Sequence, residues 1–361
     1  MSTAGAPQPV GTGAAGEPST RRADERLSAV GPLRRLLVKP ELGALVGAIA
    51  VFAFFAVQSD VFRSARGIAN WLDPASTLGI MAVAVALLMI GGRFDLSAGV
   101  MTGTTALVVA IVAVEFEQNI WVAIAVSLGV ALLLGFFNGW LVTRTGLPSF
   151  IITLGTFLML QGLNLGMTKY LTGTVTAGGL ASVPGYASAE WVFASRMTVL
   201  GAEVRVAVLW WVLFTALATW VLLRTRFGNW VFATGGDEVA ARNVGVPARR
   251  TTITLFMTTA TAAWFVGTTL AVRLTSVQAN TGTGQELIYI VAAVIGGCLL
   301  TGGFGSAIGA SLGALIFGMT QLGIPYLRWD ADWFYFFLGA MLLLAVLANR
   351  LVRRYAEAAR R

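Results

Sequence analysis

Apolar residues in this chain gather into long runs, not into the alternating or three-to-four-residue patterns of water-soluble elements. The runs lie at 42–58, 72–91, 96–114, 120–142, 150–168, 205–223, 252–272, 286–300, 304–322 and 333–349. About 20 apolar residues in a helix cross the hydrocarbon core of a bilayer. The pattern therefore predicts an all-α polytopic membrane protein with about ten transmembrane helices, several of them short or interrupted by glycine.

The glycines carry a pattern of their own. Gly305, Gly309 and Gly313 recur every fourth residue, with Ser306, Ala310 and Ala314 on the adjoining row, and Gly99 and Gly103 form a second such pair. In water so many glycines would spoil a helix, but in a bilayer small residues at this spacing let helices approach backbone to backbone. These five glycines are the predicted helix-packing positions.

Composition agrees with a membrane setting. The chain is 57% hydrophobic and 12% charged, with a mean hydropathy of +0.77. Histidine is absent and Cys298 is the single cysteine, which removes the commonest base and metal ligand and any intrachain disulfide. The net charge of +8 is explained by where the charges lie, and no nucleic-acid partner is expected. Threading ten spans with the amino terminus inside places 18 basic residues on inner segments and 7 on outer ones, the full 25 of the chain. Basic residues are retained in the cytoplasm, so both termini are expected there. Residues 1–40, rich in Gly, Ala, Pro and Thr, read as a flexible cytoplasmic tail and not as a secretory signal. Residues 41–350 form the expected transmembrane domain and 351–361 a second cytoplasmic tail.

Three segments hold more than apolar helix. In IGGRFDLSAGVMTG, residues 90–103, Asp95 and Ser97 stand where one span ends and another starts. Asp95 suits a helix amino terminus, and either caps a helix break or, with Ser97, borders a path for solute. In residues 224–250, Gly235-Gly236 precedes Asp237-Glu238, small Ala240 and Ala241 follow, and Gly245 and Pro247 close the segment. This predicts a short cytoplasmic helix that either seats in a partner's groove or is an ordinary basic connector. Thr251, Thr254, Thr258, Thr261 and Thr268 share one face of a span, and Gln161, Asn164 and Thr168 share a face of an earlier one. Such faces either bond helix to helix or line a water-filled path. Neither holds a charge, which suits a hydroxyl-rich solute better than an ion.

Several activities have no residues to perform them. There is no phosphate loop of the G-x-x-x-x-G-K-[ST] type, so ATP is not hydrolysed on this chain. There is no Ser/His or Cys/His pair and no zinc motif, and no cofactor is called for. Asp73, Asp95 and Glu286 stand near the ends of spans, which disfavours a stand-alone ion-coupled carrier without removing it as the alternative.

Taken together the segments resemble one family, the permeases of ribose- and xylose-type sugar ABC importers. IGGRFDLSAGVMTG is similar to their GG-x-DLS-x-G signature, and LPSFIITLGTFLMLQGL resembles the PPFIATLG segment that follows. RFGNWVFATGGDEVAARNVGV is similar to their FGR-x-x-x-AIGGN-x-x-AA-x-x-x-GI loop. ELIYIVAAVIGGCLLTGGFGSAIGASLGALIFG resembles AAVVIGG-x-x-LSGG-x-G-x-x-x-G-x-x-x-GA. The resemblance spans about residues 42–349, in order. It implies a bacterial inner-membrane permease that works in a pair, homodimeric or with a paralogue, with membrane lipid around it. Inside, it would meet separate ABC ATPases through a coupling helix at Asp237, Glu238, Ala240, Ala241, Arg242 and Gly245. Outside, it would meet an extracytoplasmic sugar-binding protein. Transport would be by alternating access, with Asp95, Ser97, Gln161, Asn164, Thr254, Thr258 and Thr261 as candidates for the path. The chain departs from the family pattern at Asp237, where Asn is usual, at the extra residue of Arg93-Phe94, at Thr301, and at Gln321-Leu322-Gly323. These departures leave nucleoside and branched-chain amino-acid solutes open.

Overall fold

The computed structural model describes residues 40–358, with side chains for 41–347. The expected tail over 1–40 thus lies, apart from Pro40, outside the described residues, as do the side chains of 351–361. The first helices are α1 (Pro40–Gln58), a single turn α2 (Asp60–Arg63), α3 (Ala65–Ile90), α4 (Ala98–Val114), α5 (Ile120–Thr145) and α6 (Ser149–Thr172). A connector follows with β1 (Thr176–Gly178), α7 (Tyr186–Phe193), β2 (Arg196–Val199) and β3 (Ala202–Arg205). Then come α8 (Ala207–Arg224), α9 (Arg226–Gly236), α10 (Glu238–Asn243), α11 (Ala248–Leu274) and β4 (Ser276–Gln278). The chain closes with α12 (Gln285–Ile295), α13 (Ala307–Tyr326) and α14 (Trp333–Ala358).

Seven of these helices are long and apolar enough to cross a membrane, and α4, α12 and the first part of α14 are shorter apolar helices. Each of the ten apolar runs of the sequence therefore contains one helix. Their burial is unequal. In α3 every residue from Leu78 to Ile90 is buried, so this helix is the central post, packed by α13, α8, α11 and α12. The outward faces of α1, α5, α6 and α8 leave large apolar side chains such as Val46, Leu133, Leu158 and Leu223 exposed, as lipid contact requires.

Glycine sets the closest approaches. A Cβ at Gly135 or Gly139 of α5 would lie 2.7 Å from Ala260 Cβ or Ile253 Cα of α11, and one at Gly318 of α13 would lie 2.5 Å from the Trp71 carbonyl. Gly309 and Gly313 would put a Cβ 2.0 Å from the carbonyls of Gly296 and Ala292. Gly305 does not belong to that row. It precedes the helix, which begins at Ala307 after the Ser306 cap, and has φ +153. Gly99 packs against the first turn of α12 and the loop before it: a Cβ there would lie 2.2 Å from Glu286 Oε2 and 2.7 Å from the Gly282 carbonyl, and one at Gly103 would lie 1.9 Å from the Thr281 carbonyl. Their partner is thus the start of α12 together with the loop 279–284, which folds down against α4.

That loop explains why the run at 286–300 is not a full span. Gly284, at φ +88, starts α12, and a glycine pair ends it at Gly296. Its 11 residues reach about 16 Å, half of a hydrocarbon core of about 30 Å. Glu286 accordingly stands at a helix end that lies deep in the molecule, 7% exposed.

The turns after α3 and α12 are the same turn. Gly91, Gly92 and Arg93 donate to Leu87, Met89 and Leu88, while Gly296, Gly297 and Cys298 donate to Ala292, Val294 and Ala293. Gly92 and Gly297 both take positive φ, +77 and +92, the left-handed closure that ends many helices. Each turn then leads through a loop to a serine, Ser97 or Ser306, that opens the next helix. Two Ile-Gly-Gly units thus build the same re-entry twice.

Candidate functional site

The first candidate site lies where these two turns meet. Gly303 N–H donates to the Ile90 carbonyl at 2.8 Å, tying the second loop to the end of α3. Gly235, at the end of α9, fits between them: its Cβ would lie 1.8 Å from the Ile90 oxygen, and one on Gly302 would lie 2.7 Å from the Gly92 Cα. Three glycine pairs, 91–92, 235–236 and 302–303, meet here main chain to main chain.

α10 is mounted on this junction. Asp237 caps it, its Oδ1 accepting from Val239 N and Ala240 N at 2.9 Å each, and Gly245 at φ +84 ends the segment. Glu238 bonds both Arg93 of the α3–α4 loop and Arg242, so α10 is tied to the end of α3 by charge as well as by backbone. The sequence suggested a docking face of Ala240 and Ala241. The structure places Ala241 inward, 4% exposed, with its carbonyl accepting from Val246 N. What α10 and its C-cap show outward is Ala240, Arg242, Asn243 and two uncovered valines, Val239 at 69% and the cap residue Val244 at 80% exposure.

A buried polar chain starts in the same loop. Asp95 Oδ1 accepts from Ser97 N at 2.8 Å and Ser97 Oγ at 2.5 Å. Ser97 Oγ accepts from Asn138 Nδ2 at 3.0 Å, and Asn138 Oδ1 accepts from Thr156 Oγ1 at 2.7 Å. Nearby, Leu96 N and Phe94 N donate to Thr153 and Ser149 of α6. Asp95 is 0% exposed and its Oδ2 has no partner among the described residues. Burial pushes this loop carboxyl up to about 6, while the bonds from Ser97 pull the other way. Sequence reading singled out Asp95 and Ser97 but missed Asn138 and Thr156. The signal was available: Asn138 is a lone amide inside LLLGFFNGW, and an amide there needs a partner.

The two polar faces fare differently. On α6, Asn164 and Thr168 are buried, with an Nδ2 and an Oγ1 that have no partner among the described residues, and Gln161 is half-buried. On α11 the stripe is split, because α3, α4 and α5 cover only part of the helix. Thr251 and Thr268 are buried, Thr258 and Thr261 half-buried, and Thr254 exposed. Thr258 and Thr261 donate back to the carbonyls of Thr254 and Met257 at 2.9 and 2.8 Å.

At the opposite end of the bundle the connectors are ordered. β1 pairs with β4, and β2 with β3, both antiparallel. Asp73 of α3 is bidentate with Arg273 at 2.9 and 2.7 Å and accepts from Arg205 at 3.2 Å. Burial, and then the neighbouring Arg273, lower the Arg205 pKa, which Asp73 opposes. A polar recess of about 560 Å³ opens here among Arg66, Arg196 and Glu203. No metal-ligating cluster occurs among the described residues.

A many-helix bundle with two re-entrant turns, an exposed short helix at one end and an ordered cap at the other defines a membrane permease. The chain belongs to the family described as branched-chain amino acid transport system / permease component, matched over residues 67–346. It is 31% identical to the xylose transport system permease protein XylH of Escherichia coli K12 over 85% of this chain and 90% of that one. To the ribose import permease protein RbsC of the same strain it is 30% identical, over 86% and 93%. To the fructose import permease protein FrcC of Rhizobium meliloti it is 29% identical, over 86% and 85%. No solved structure matches the chain. It is a multi-pass inner-membrane permease subunit of an ABC importer and not an enzyme; ATP hydrolysis belongs to a separate subunit, and a binding protein is the other partner.

Proposed function

We propose that the chain imports a monosaccharide by alternating access, with the α10 end facing the cytoplasm and the hairpin end facing outward. The observation that carries this reading is α10: a capped helix whose two valines are left bare while its mount is locked to the turns after α3 and α12. ATP-driven movement of a partner against Val239, Ala240 and Val244 would be passed through Gly235 and the Glu238–Arg93 bond to the re-entrant loops. Asp237, Glu238, Arg242 and Gly245 hold the helix in place, and Ala241 anchors it to its own chain. Both termini then lie in the cytoplasm, as the distribution of basic residues indicates. A second permease subunit and lipid cover the exposed apolar faces.

The sugar assignment draws on relatives whose names give xylose, ribose and fructose. The uncharged polar residues Gln161, Asn164, Thr254, Thr258 and Thr261, with Asp95 and Ser97, are the candidates to border the path. Reconstitution in proteoliposomes with the ATPase and the binding protein tests the reading. Uptake of xylose, ribose or fructose should require all three components. Uptake without the ATPase would overturn the importer assignment, and uptake of leucine alone would overturn the sugar.

A further inference from the structure

A cavity of about 360 Å³ lies in the hairpin-end half of the bundle, among α3, α4, α11, α12, α13 and α14. Neither polar face read from the sequence contributes to it. Its floor is Gly282 and Gln285, where the loop 279–284 rests on α4. The Gly103–Thr281 contact, in which an added Cβ would come within 1.9 Å of a carbonyl oxygen, seats that loop directly on α4.

Its lining has a definite chemistry. Gln285 and Gln321 bring two amides whose side chains bond no other described residue, and Thr102 and Tyr289 bring hydroxyls. Rings form another part of the wall: Phe317 and Phe334 meet edge to face at 5.0 Å, and Tyr335 adjoins Phe334 at 5.4 Å. Among the described residues no Asp, Glu, Lys or Arg lines it. Glu286, one residue on, turns instead toward Gly99 and accepts from Gly284 N.

We propose that this cavity is the solute site of the permease and that it takes a neutral monosaccharide; this rests on the importer reading above. An amide both donates and accepts, so each glutamine can pair with a hydroxyl that does the same. A sugar's C–H face needs an apolar surface, which the rings supply. The volume falls in the range of small-molecule sites, about 300–1,000 Å³. A zwitterionic amino acid finds no carboxylate here for its ammonium group, and burying that charge unpaired is costly. The site is thus built for sugars and against amino acids.

The complete transporter in proteoliposomes provides the test, with whichever of xylose, ribose and fructose the wild type imports. Gln285→Leu and Gln321→Leu should each lower uptake about tenfold, the effect of leaving one hydroxyl unpaired. ATPase activity stimulated by the loaded binding protein should persist. Wild-type uptake by both variants would overturn the cavity as the solute site. A wild type that imports none of the three sugars would instead overturn the sugar reading itself. Should a leucine variant fail to assemble, Gln321→Cys supplies the answer, because Gln321 is exposed and the native Cys298 is buried. A small methanethiosulfonate at position 321 should block uptake, and a high sugar concentration should slow its attachment. Full transport by the labelled protein would overturn the proposal.

Discussion

At the scale of single residues, glycine and one carboxylate decide the most. Gly103→Ala drives a methyl into the Thr281 carbonyl, whereas Gly162 of α6 has nothing within 4 Å of an added Cβ. The first change should cost about 1–3 kcal/mol by overpacking, seen as a lower melting temperature in detergent, and Gly162→Ala should cost nothing. Equal melting of the two would show that the loop 279–284 is not seated on α4. Asp95 makes a second prediction. Its carboxyl is raised from 3.8 to about 6, so the folded protein holds a proton that the unfolded chain has released. Stability from this group is complete below about pH 4 and is lost as pH rises toward 6. Asp95→Asn should flatten that part of the melting-temperature profile, and an unchanged slope would assign it elsewhere. Both sets of residues were visible in the sequence, but their partners were not. The i, i+4 spacing of Gly99 and Gly103 signals close contact without saying whether a helix or a loop provides it.

Among the elements, α10 shows what spacing can and cannot reveal. Gly235-Gly236-Asp237-Glu238 and Gly245 marked its start and stop, and the observed helix, Glu238–Asn243, lies between them. Which face stays bare depends on α9 and α11, which no local pattern places, so the roles of Ala241 and Val244 were not legible. The two positions should respond differently. Val244→Glu puts a charge on the uncovered face and should abolish solute-dependent ATPase stimulation while leaving melting unchanged. Ala241→Leu should lower the melting temperature first. Loss of stability with Val244→Glu would mean that this face is already covered within the chain. α12 was hidden for another reason. Hydropathy over 286–300 is continuous, and only the positive φ values of Gly284 and Gly297 cut the run to a half-span.

For the whole molecule, the number of apolar helices was written in the runs themselves, because lipid demands continuous apolar surface. The caps at the hairpin end were not, since β1 and β4 are three residues each and pair across about a hundred positions of chain. Orientation can be measured directly. Val244→Cys and Leu200→Cys sit at 80% and 92% exposed positions at opposite ends. An impermeant thiol reagent on intact cells should modify position 200 and spare 244; the reverse would invert the topology. The bond between Gly303 and Ile90 has a further consequence, for the order in which the protein is made. A ribosome releases α3 and α10 long before residue 303 exists, so the platform under α10 lacks one wall until translation is nearly finished. If α10 is the docking helix proposed above, a nascent permease would not engage its motor early. In a chain stopped after Leu274, the segment 225–247 should be cut readily by protease, whereas the finished chain should resist. On that reading, completion of synthesis would be the step that arms the transporter.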